Sequence, residues 1–210
     1  MILNKIYFHI AQIGNYEKVC EEIFDSIIKS GILQNSVLYL SILGKNENIF
    51  NIESETIFKN SNINLGEFPT LEKIKEHSIK DIKNYNILYL HTKGVTTPNN
   101  LNIDDWRKYM LYFNVTKFKD CIDIIKNNDT CGVDLRKDPV LHYSGNFWWS
   151  KSNYLKTLPD FKNMPIILSE RHKSEFWICS NQGKHYSMWD CGINQYEKHL
   201  YPYKENNYKI

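Results

Sequence analysis

The chain has 210 residues, a length that can bury a sizeable hydrophobic core. Its 26 Lys and Arg residues nearly balance its 24 Asp and Glu residues, so charge gives no case for general binding to nucleic acid or to a membrane surface. No segment approaches the length of a membrane-spanning helix, and no repeat or linker divides the sequence, which predicts one domain over residues 1–210.

The first half of the chain alternates apolar runs with amphipathic segments. Apolar runs predict strands at residues 6–10, 37–43 and 86–90, and residues 55–58 are predicted as a further short strand. Residues 16–30 have helical spacing and end before Gly31, and a second helix begins at Thr70. This order predicts a mostly parallel α/β sheet with helices on both faces. Ligands of such sheets bind beyond the carboxyl ends of the strands.

The second half is predicted to begin with a polar loop at residues 95–102. A long helix follows from Asp104 to about residue 126, with Asp104 as its cap. Next come a short strand end near residues 132–135 and an aromatic strand near residues 143–149. Residues 170–179 are predicted to form a last helix.

His91, Thr92, Lys93 and Gly94 directly follow the strand at residues 86–90. They therefore lie where parallel sheets bind ligands. The Lys93 ammonium offers a positive charge to phosphate oxygens, and Gly94 lets the backbone approach a ligand closely. A polar turn that ends in glycine explains these residues about equally well.

Residues 144–150 read Ser-Gly-Asn-Phe-Trp-Trp-Ser. Aromatic rings suit the apolar face of a sugar, and the Asn146 amide suits its hydroxyl groups, although a buried aromatic strand explains the same residues. Alternation along a strand sends Phe147 and Trp149 to one face and Trp148 to the other. We expect Trp148 to line a sugar site and Trp149 to lie in the core.

Two charged residues have both a structural and a functional interpretation. Arg107 is one of three arginines in the sequence, and a phosphate or an ion pair explains it equally. Glu175 follows Arg171 by four residues, which on a helix gives a weak surface ion pair. If Glu175 instead faces a pocket, its carboxylate can act as a general base.

The cysteine pattern and the N-terminus indicate a compartment. The five cysteines are widely spaced without a C-x-x-C pair, which favours reduced and mostly buried thiols. Residues 1–7 lack the charged start and long apolar run of a signal peptide. These features predict a cytoplasmic protein, or one of the host cytoplasm if the source is a virus.

Taken in order, five short motifs resemble one class of enzyme. They are His-Thr-Lys-Gly after a strand, Trp-Arg in a helix, Gly-Val-Asp-Leu, Gly-Asn-Phe-Trp-Trp and Glu-x-Trp-Ile. The sequence resembles small GT-A glycosyltransferases, both the rhamnan-synthesis-protein-F-like transferases of polysaccharide pathways and the short transferase domains of bacteria and large DNA viruses. The resemblance implies a GT-A-like fold and a hexosyl- or deoxyhexosyltransferase. Such an enzyme moves a sugar from a nucleotide-sugar donor, with a UDP-sugar as first choice, to a glycan or protein-linked acceptor.

The resemblance also implies roles for individual residues. The residues assigned to donor binding are His91, Lys93, Gly94 and Arg107. The residues assigned to the sugar and acceptor site are Gly145, Asn146 and Trp148. Glu175 is the predicted catalytic base, with Asp134 and Glu170 as the next choices.

One departure from the family pattern concerns metal binding. Most GT-A enzymes hold a divalent metal on the donor diphosphate through Asp-x-Asp, where this sequence has His91-Thr92-Lys93. Either Lys93 takes over part of the metal's charge, or His91 and a distant carboxylate such as Asp134 bind Mn²⁺ or Mg²⁺. The alternative function is a non-catalytic module of the same fold that binds a nucleotide sugar or a glycan.

Overall fold

The structure is a computed structural model that describes residues 3–45 and 51–198. The strands, in chain order, are β1 (Asn4–Ala11), β2 (Ser36–Leu43), β3 (Glu55–Asn60), β4 (Asn86–His91), β5 (Thr130–Gly132), β6 (Leu135–Arg136), β7 (His142–Tyr143), β8 (Trp148–Lys151) and β9 (His185–Ser187). The α-helices are α1 (Tyr16–Ser30), α2 (Phe68–Lys80), α3 (Leu101–Leu111), α4 (Phe118–Asn127), α5 (Ser152–Leu155) and α6 (Lys173–Phe176).

The main sheet has seven strands in the order β3-β2-β1-β4-β8-β5-β9, and β6 pairs with β7 in a separate ladder. Within the described residues, β8 alone runs antiparallel to its neighbours in the main sheet. The predicted mostly parallel α/β sheet is therefore confirmed. The chain builds outward from β1 through β2 to β3, and then returns to the other side of β1 with β4. This reversal places a topological switch point between β1 and β4.

Helices cover both faces of this sheet, as predicted. Alternate side chains of a strand point to opposite faces, so Phe8 packs in a cluster with residues of α1, α3 and α4. Its neighbour Tyr7 packs in a second cluster with residues of α2 and α5. Phe147 and Trp149 join the first cluster and Trp148 joins the second, as alternation predicts.

The predicted long helix from Asp104 is wrong in two respects. The helix α3 begins at Leu101, because the Asn100 side chain accepts hydrogen bonds from the backbone N–H groups of Asn102 and Ile103. A π-helical turn at Tyr112–Thr116 then separates α3 from α4. Inside this turn the buried Asn114 side chain donates a hydrogen bond to the Met110 carbonyl over 3.0 Å.

Other short elements also differ from their predictions. The segment predicted as one helix at residues 170–179 consists of α6 between two 3₁₀ turns. The aromatic strand starts later than predicted, because Gly145 and Asn146 form a turn with φ values of +88° and +59°. The strand β9 and the β6–β7 ladder are too short and too polar for a periodicity argument to find.

No helix in the described ranges is both long enough and apolar enough to cross a membrane. All five cysteines are free thiols, and Cys20, Cys121 and Cys131 are buried. Residues 1 and 2 of the N-terminal segment considered above lie outside the described residues.

Replacement of Trp149 tests the core. Its side chain is fully buried, and its Nε1 donates to the Asn114 carbonyl over 2.8 Å. We expect Trp149→Ala to lower the free energy of unfolding by about 3–5 kcal/mol in urea denaturation, because the substitution leaves a large cavity. The control Ile82→Ala changes a side chain that is 97% exposed and should alter stability by less than about 0.5 kcal/mol. Equal effects of the two substitutions would contradict this account of the core.

Candidate functional site

A cavity of about 670 Å³ opens at the carboxyl ends of β1 and β4, which is the switch point of the sheet. Its volume lies in the range of small-molecule sites. The lining segments are the end of β1, residues 63–68 before α2, residues 91–97 after β4, the turn at residues 145–146, residues 170–175, and Tyr196. The sequence-predicted residues among them are His91, Lys93, Gly94, Gly145, Asn146, Glu170 and Glu175.

Lys93 presents a positive charge to this cavity. Its Nζ lies 3.9 Å from the centre of the Trp106 ring and 5.6 Å from that of Tyr196. It forms no salt bridge with any residue of the described ranges. Burial lowers the pKa of Lys93, while the negative charges of Glu175 and Glu67 oppose that shift. Among the described residues the ammonium therefore has no carboxylate at ion-pair distance.

Arg107 lies behind the Lys93 segment and does not line the cavity. Its buried guanidinium contacts Glu22 and Asp104 over 2.9 Å each, and its Nη1 donates to the Lys93 carbonyl over 3.0 Å. Direct contact of Arg107 with a donor is therefore not supported, and the residue positions Lys93 instead.

Gly94 has φ +93°, and a Cβ there would lie 2.5 Å from Ile103 Cγ2, so a larger residue would displace this turn.

The turn at residues 145–146 is fixed to β4 and to its own strand. His91 Nε2 donates to the Gly145 carbonyl over 2.9 Å. The Asn146 side chain accepts a hydrogen bond from Trp148 Nε1 over 3.0 Å.

Trp148 itself is fully buried, with its ring against those of Tyr89 and Trp177. This corrects the expectation that Trp148 lines a sugar site, because no face of its ring is open to a ligand. Trp148 is a positioning residue for Asn146.

Glu67, which the sequence reasoning missed, lines the same cavity. Its Oε2 accepts hydrogen bonds from Tyr89 Oη over 2.6 Å and from Asn146 Nδ2 over 2.7 Å. Burial would raise the pKa of Glu67, but the charges of His91 and His9 and these two hydrogen bonds lower it below its usual value. The carboxylate is therefore ionised at neutral pH. In the sequence, a glutamate just before a helix is read as ordinary capping, and no motif surrounds it.

His9 is a second cavity residue that no motif marked. Its side chain is 3% exposed, and its Nδ1 lies 2.8 Å from Thr70 Oγ1 in a hydrogen bond. Burial lowers the pKa of His9 to about 4, so the ring is neutral at neutral pH.

Glu175 reaches the cavity from α6 as a half-buried side chain. The expected ion pair with Arg171 is absent within the described residues, because a 3₁₀ turn at Glu170–His172 changes the helical spacing. Glu175 also accepts no hydrogen bond there, whereas Glu170 pairs with Lys173 over 2.8 Å. Its carboxylate is thus available to a ligand.

Asp134 lies outside the cavity lining and is fully buried. It accepts hydrogen bonds from the Cys191 backbone N–H over 2.8 Å and from Gln195 Nε2 over 2.7 Å. Burial raises the pKa of Asp134 despite these bonds. This placement corrects the expectation that Asp134 serves as a base or shares a metal with His91. Instead it holds the C-terminal segment that carries Tyr196 to the cavity.

The residues at positions 91–93 do not fit a divalent metal held in the manner of Asp-x-Asp. None of the three residues carries a carboxylate, and Lys93 is itself a cation. Over residues 3–45 and 51–198, no group of three or more His, Cys, Asp or Glu side chains is arranged to hold a metal ion.

Comparisons with known proteins give a family but no activity. A family model described as a domain of unknown function, DUF8361, matches residues 9–198. The chain belongs to the DUF8361 family. No curated protein matches it significantly. One solved structure is similar to this DUF8361 protein. It is a protein of Desulfovibrio desulfuricans G20 whose function as a nucleotide-diphospho-sugar transferase is inferred and not demonstrated. The TM-score is 0.48 at 8% identity, over 90% of this chain and 81% of that one, and this likeness is too low to transfer an activity.

The pKa of His9 predicts a pH-dependent stability. The folded value of about 4 lies below the ordinary value of about 6.5, so below pH 6.5 the unfolded chain takes up a proton that the folded chain does not. The contribution of His9 is fully present above pH 6.5 and falls by about 3 kcal/mol as the pH decreases to 4. Urea denaturation across this range should show a smaller fall for His9→Asn than for the wild type. Parallel curves for the two proteins would contradict the prediction.

Proposed function

We propose that this DUF8361 protein is a nucleotide-sugar-dependent glycosyltransferase with a GT-A-like fold. The observation that carries the proposal is that Lys93 and Glu175 line one cavity at the switch point of the sheet and that neither forms an ion pair with a described residue. A cation there suits the diphosphate of a donor, and a free carboxylate suits an acceptor hydroxyl. A UDP-sugar is the first donor to test, with a glycan or protein-linked acceptor.

In the proposed reaction an acceptor oxygen attacks the anomeric carbon of the donor sugar. The new bond joins that oxygen to the anomeric carbon, and the bond between the anomeric carbon and the phosphate oxygen breaks. Glu175 takes the proton of the acceptor hydroxyl. The nucleoside diphosphate leaves with the electron pair, and its growing negative charge is stabilised by the Lys93 ammonium.

Lys93 takes the place of a metal ion in this proposal. The Trp106 ring stabilises the ammonium at 3.9 Å, and the hydrogen bond from Arg107 Nη1 to the Lys93 carbonyl fixes its backbone. A preorganised cation needs no reorganisation when charge develops on the leaving group. Donor binding and turnover are therefore expected to persist in excess EDTA.

Lys93→Met tests the anion site, because methionine keeps an apolar stem against Trp106 and removes the charge. We expect the affinity for a nucleoside diphosphate and for its sugar conjugate to fall by roughly 10- to 100-fold in calorimetry, the cost of a charge-assisted contact. The control Lys108→Met changes an exposed lysine of α3 and should leave both affinities unchanged. Unchanged affinity in Lys93→Met would remove the anion site from this cavity.

Glu175→Gln tests the base, because glutamine keeps the size of the side chain but takes no proton. The turnover rate at saturating donor and acceptor should drop by roughly 10²–10⁴-fold while donor affinity stays constant. The control is Glu72→Gln, which removes an exposed carboxylate of α2 that does not line this cavity and should leave the turnover rate unchanged.

A Glu175→Gln variant with more than about half of the wild-type rate would eliminate Glu175 as the base. A wild-type protein that binds nucleotide sugars but releases no nucleoside diphosphate to water or to any acceptor would support the non-catalytic binding module instead.

A further inference from the structure

In the part of the chain that the structure describes, the Glu67 carboxylate is bound through only one of its two oxygens. Both hydrogen bonds to the carboxylate, from Tyr89 Oη and Asn146 Nδ2, are made to Oε2. Within the described residues Oε1 accepts no hydrogen bond, although Glu67 is half-buried and lines the cavity. An ionised carboxylate accepts hydrogen bonds at both of its oxygens. This oxygen is therefore suited to a donor that belongs to a ligand.

His9 offers a second free polar atom to the same cavity. Its ring is more than nine-tenths buried, and its Nδ1 is engaged by Thr70 Oγ1. Its Nε2 makes no hydrogen bond with the described part of the chain, and the residue lines the cavity.

These two groups select a class of ligand chemistry. The Glu67 carboxylate repels phosphates and carboxylates, and attracts hydrogen-bond donors. An imidazole nitrogen pairs with a group that can both donate and accept, which is the property of a hydroxyl. Tyr89 and Asn146 hold the carboxylate in one orientation, so the site distinguishes the direction of a hydroxyl group and not merely its presence.

We propose that Glu67 and His9 form a hydroxyl-binding subsite that holds the sugar ring of the donor and determines which sugar is accepted. The subsite rests on the proposed function, because Lys93 supplies the separate anion site for the diphosphate of the same ligand. Glu67 acts by binding and not as the proton acceptor. Its free oxygen receives hydrogen bonds from sugar hydroxyls while its other oxygen stays bound to the protein.

The test compares each nucleotide sugar with its own nucleoside diphosphate. The probes are UDP-glucose, GDP-mannose and dTDP-rhamnose against UDP, GDP and dTDP, measured by calorimetry on the full chain. For the probe pair that the wild type binds, Glu67→Gln should lower the affinity for the nucleotide sugar by roughly 10- to 100-fold. The affinity for the nucleoside diphosphate should stay within about twofold of the wild type.

Three further variants make the test independent of folding defects. The matched control Glu72→Gln removes an exposed carboxylate of α2 that does not line this cavity, and should change neither affinity. His9→Asn retains a polar group near Thr70 but loses Nε2, and should weaken sugar binding by about tenfold. Tyr89→Phe should give a smaller loss of affinity for the nucleotide sugar. It removes one of the two hydrogen bonds that orient the Glu67 carboxylate, but the replaced hydroxyl does not itself contact the ligand. If Glu67→Gln does not fold, as judged by thermal melting, the His9→Asn and Tyr89→Phe variants decide the outcome.

Failure of this proposal is distinguishable from failure of the proposed function. Equal losses for the nucleotide sugar and the nucleoside diphosphate, or no loss in the Glu67 and His9 variants, would overturn the subsite and leave the transferase proposal standing. Absence of wild-type binding to every nucleotide probe would overturn both.

Discussion

The parallel pairing of β1 with β4 is the constraint on which the site depends. The two strands pair in register from Asn4 with Asn86 to His9 with His91, although 82 positions separate Asn4 and Asn86 in the sequence. Beyond the ladder, the Thr92 backbone N–H donates to the His9 carbonyl, and the Ala11 N–H donates to Thr92 Oγ1, both over 3.0 Å. These bonds fix the start of the segment that carries Lys93. Because the strand order reverses here, the loops of the two halves separate and leave a crevice.

The charged residues around this crevice fall into two groups. One group is paired within the protein and supports the site, and the other lines the cavity where a ligand can contact it. Arg107 has its ion pairs within the protein, and Asp134 has donors on both of its oxygens. Groups of this kind are costly to disturb and rigid in place. Lys93 and Glu175 instead line the cavity without ion pairs inside the described ranges. The protein thus holds its free charges in place with neighbours whose own bonding is complete.

The sequence is informative for the long strands and for the alternation of side chains along them. An apolar run identified β4, and the polar residues that follow it were assigned correctly to a strand end. Alternation assigned Trp148 and Trp149 to opposite faces. The further step to a sugar-contacting Trp148 failed because the sheet is covered on both faces, so opposite faces are equally buried.

Features that depend on contacts between residues far apart in the chain could not be predicted from the sequence. Glu67 is defined by Tyr89, 22 positions later, and by Asn146, 79 positions later. For Arg107 the sequence leaves a phosphate and an ion pair equally open, and its partner Glu22 lies 85 positions away. Arg171 and Glu175 form no ion pair within the described residues, where a 3₁₀ turn of three residues interrupts the helical spacing, and periodicity does not resolve such a turn. Long-range pairing therefore decides which of the polar residues contact a ligand.

The most direct test of the central claim is a crystal structure of the chain with the nucleoside diphosphate that binds best. The account predicts that the diphosphate lies at the carboxyl ends of β1 and β4, with a phosphate oxygen within hydrogen-bond distance of Lys93 Nζ. A nucleotide bound elsewhere on the molecule, with the cavity between Lys93 and Glu67 left open, would contradict it.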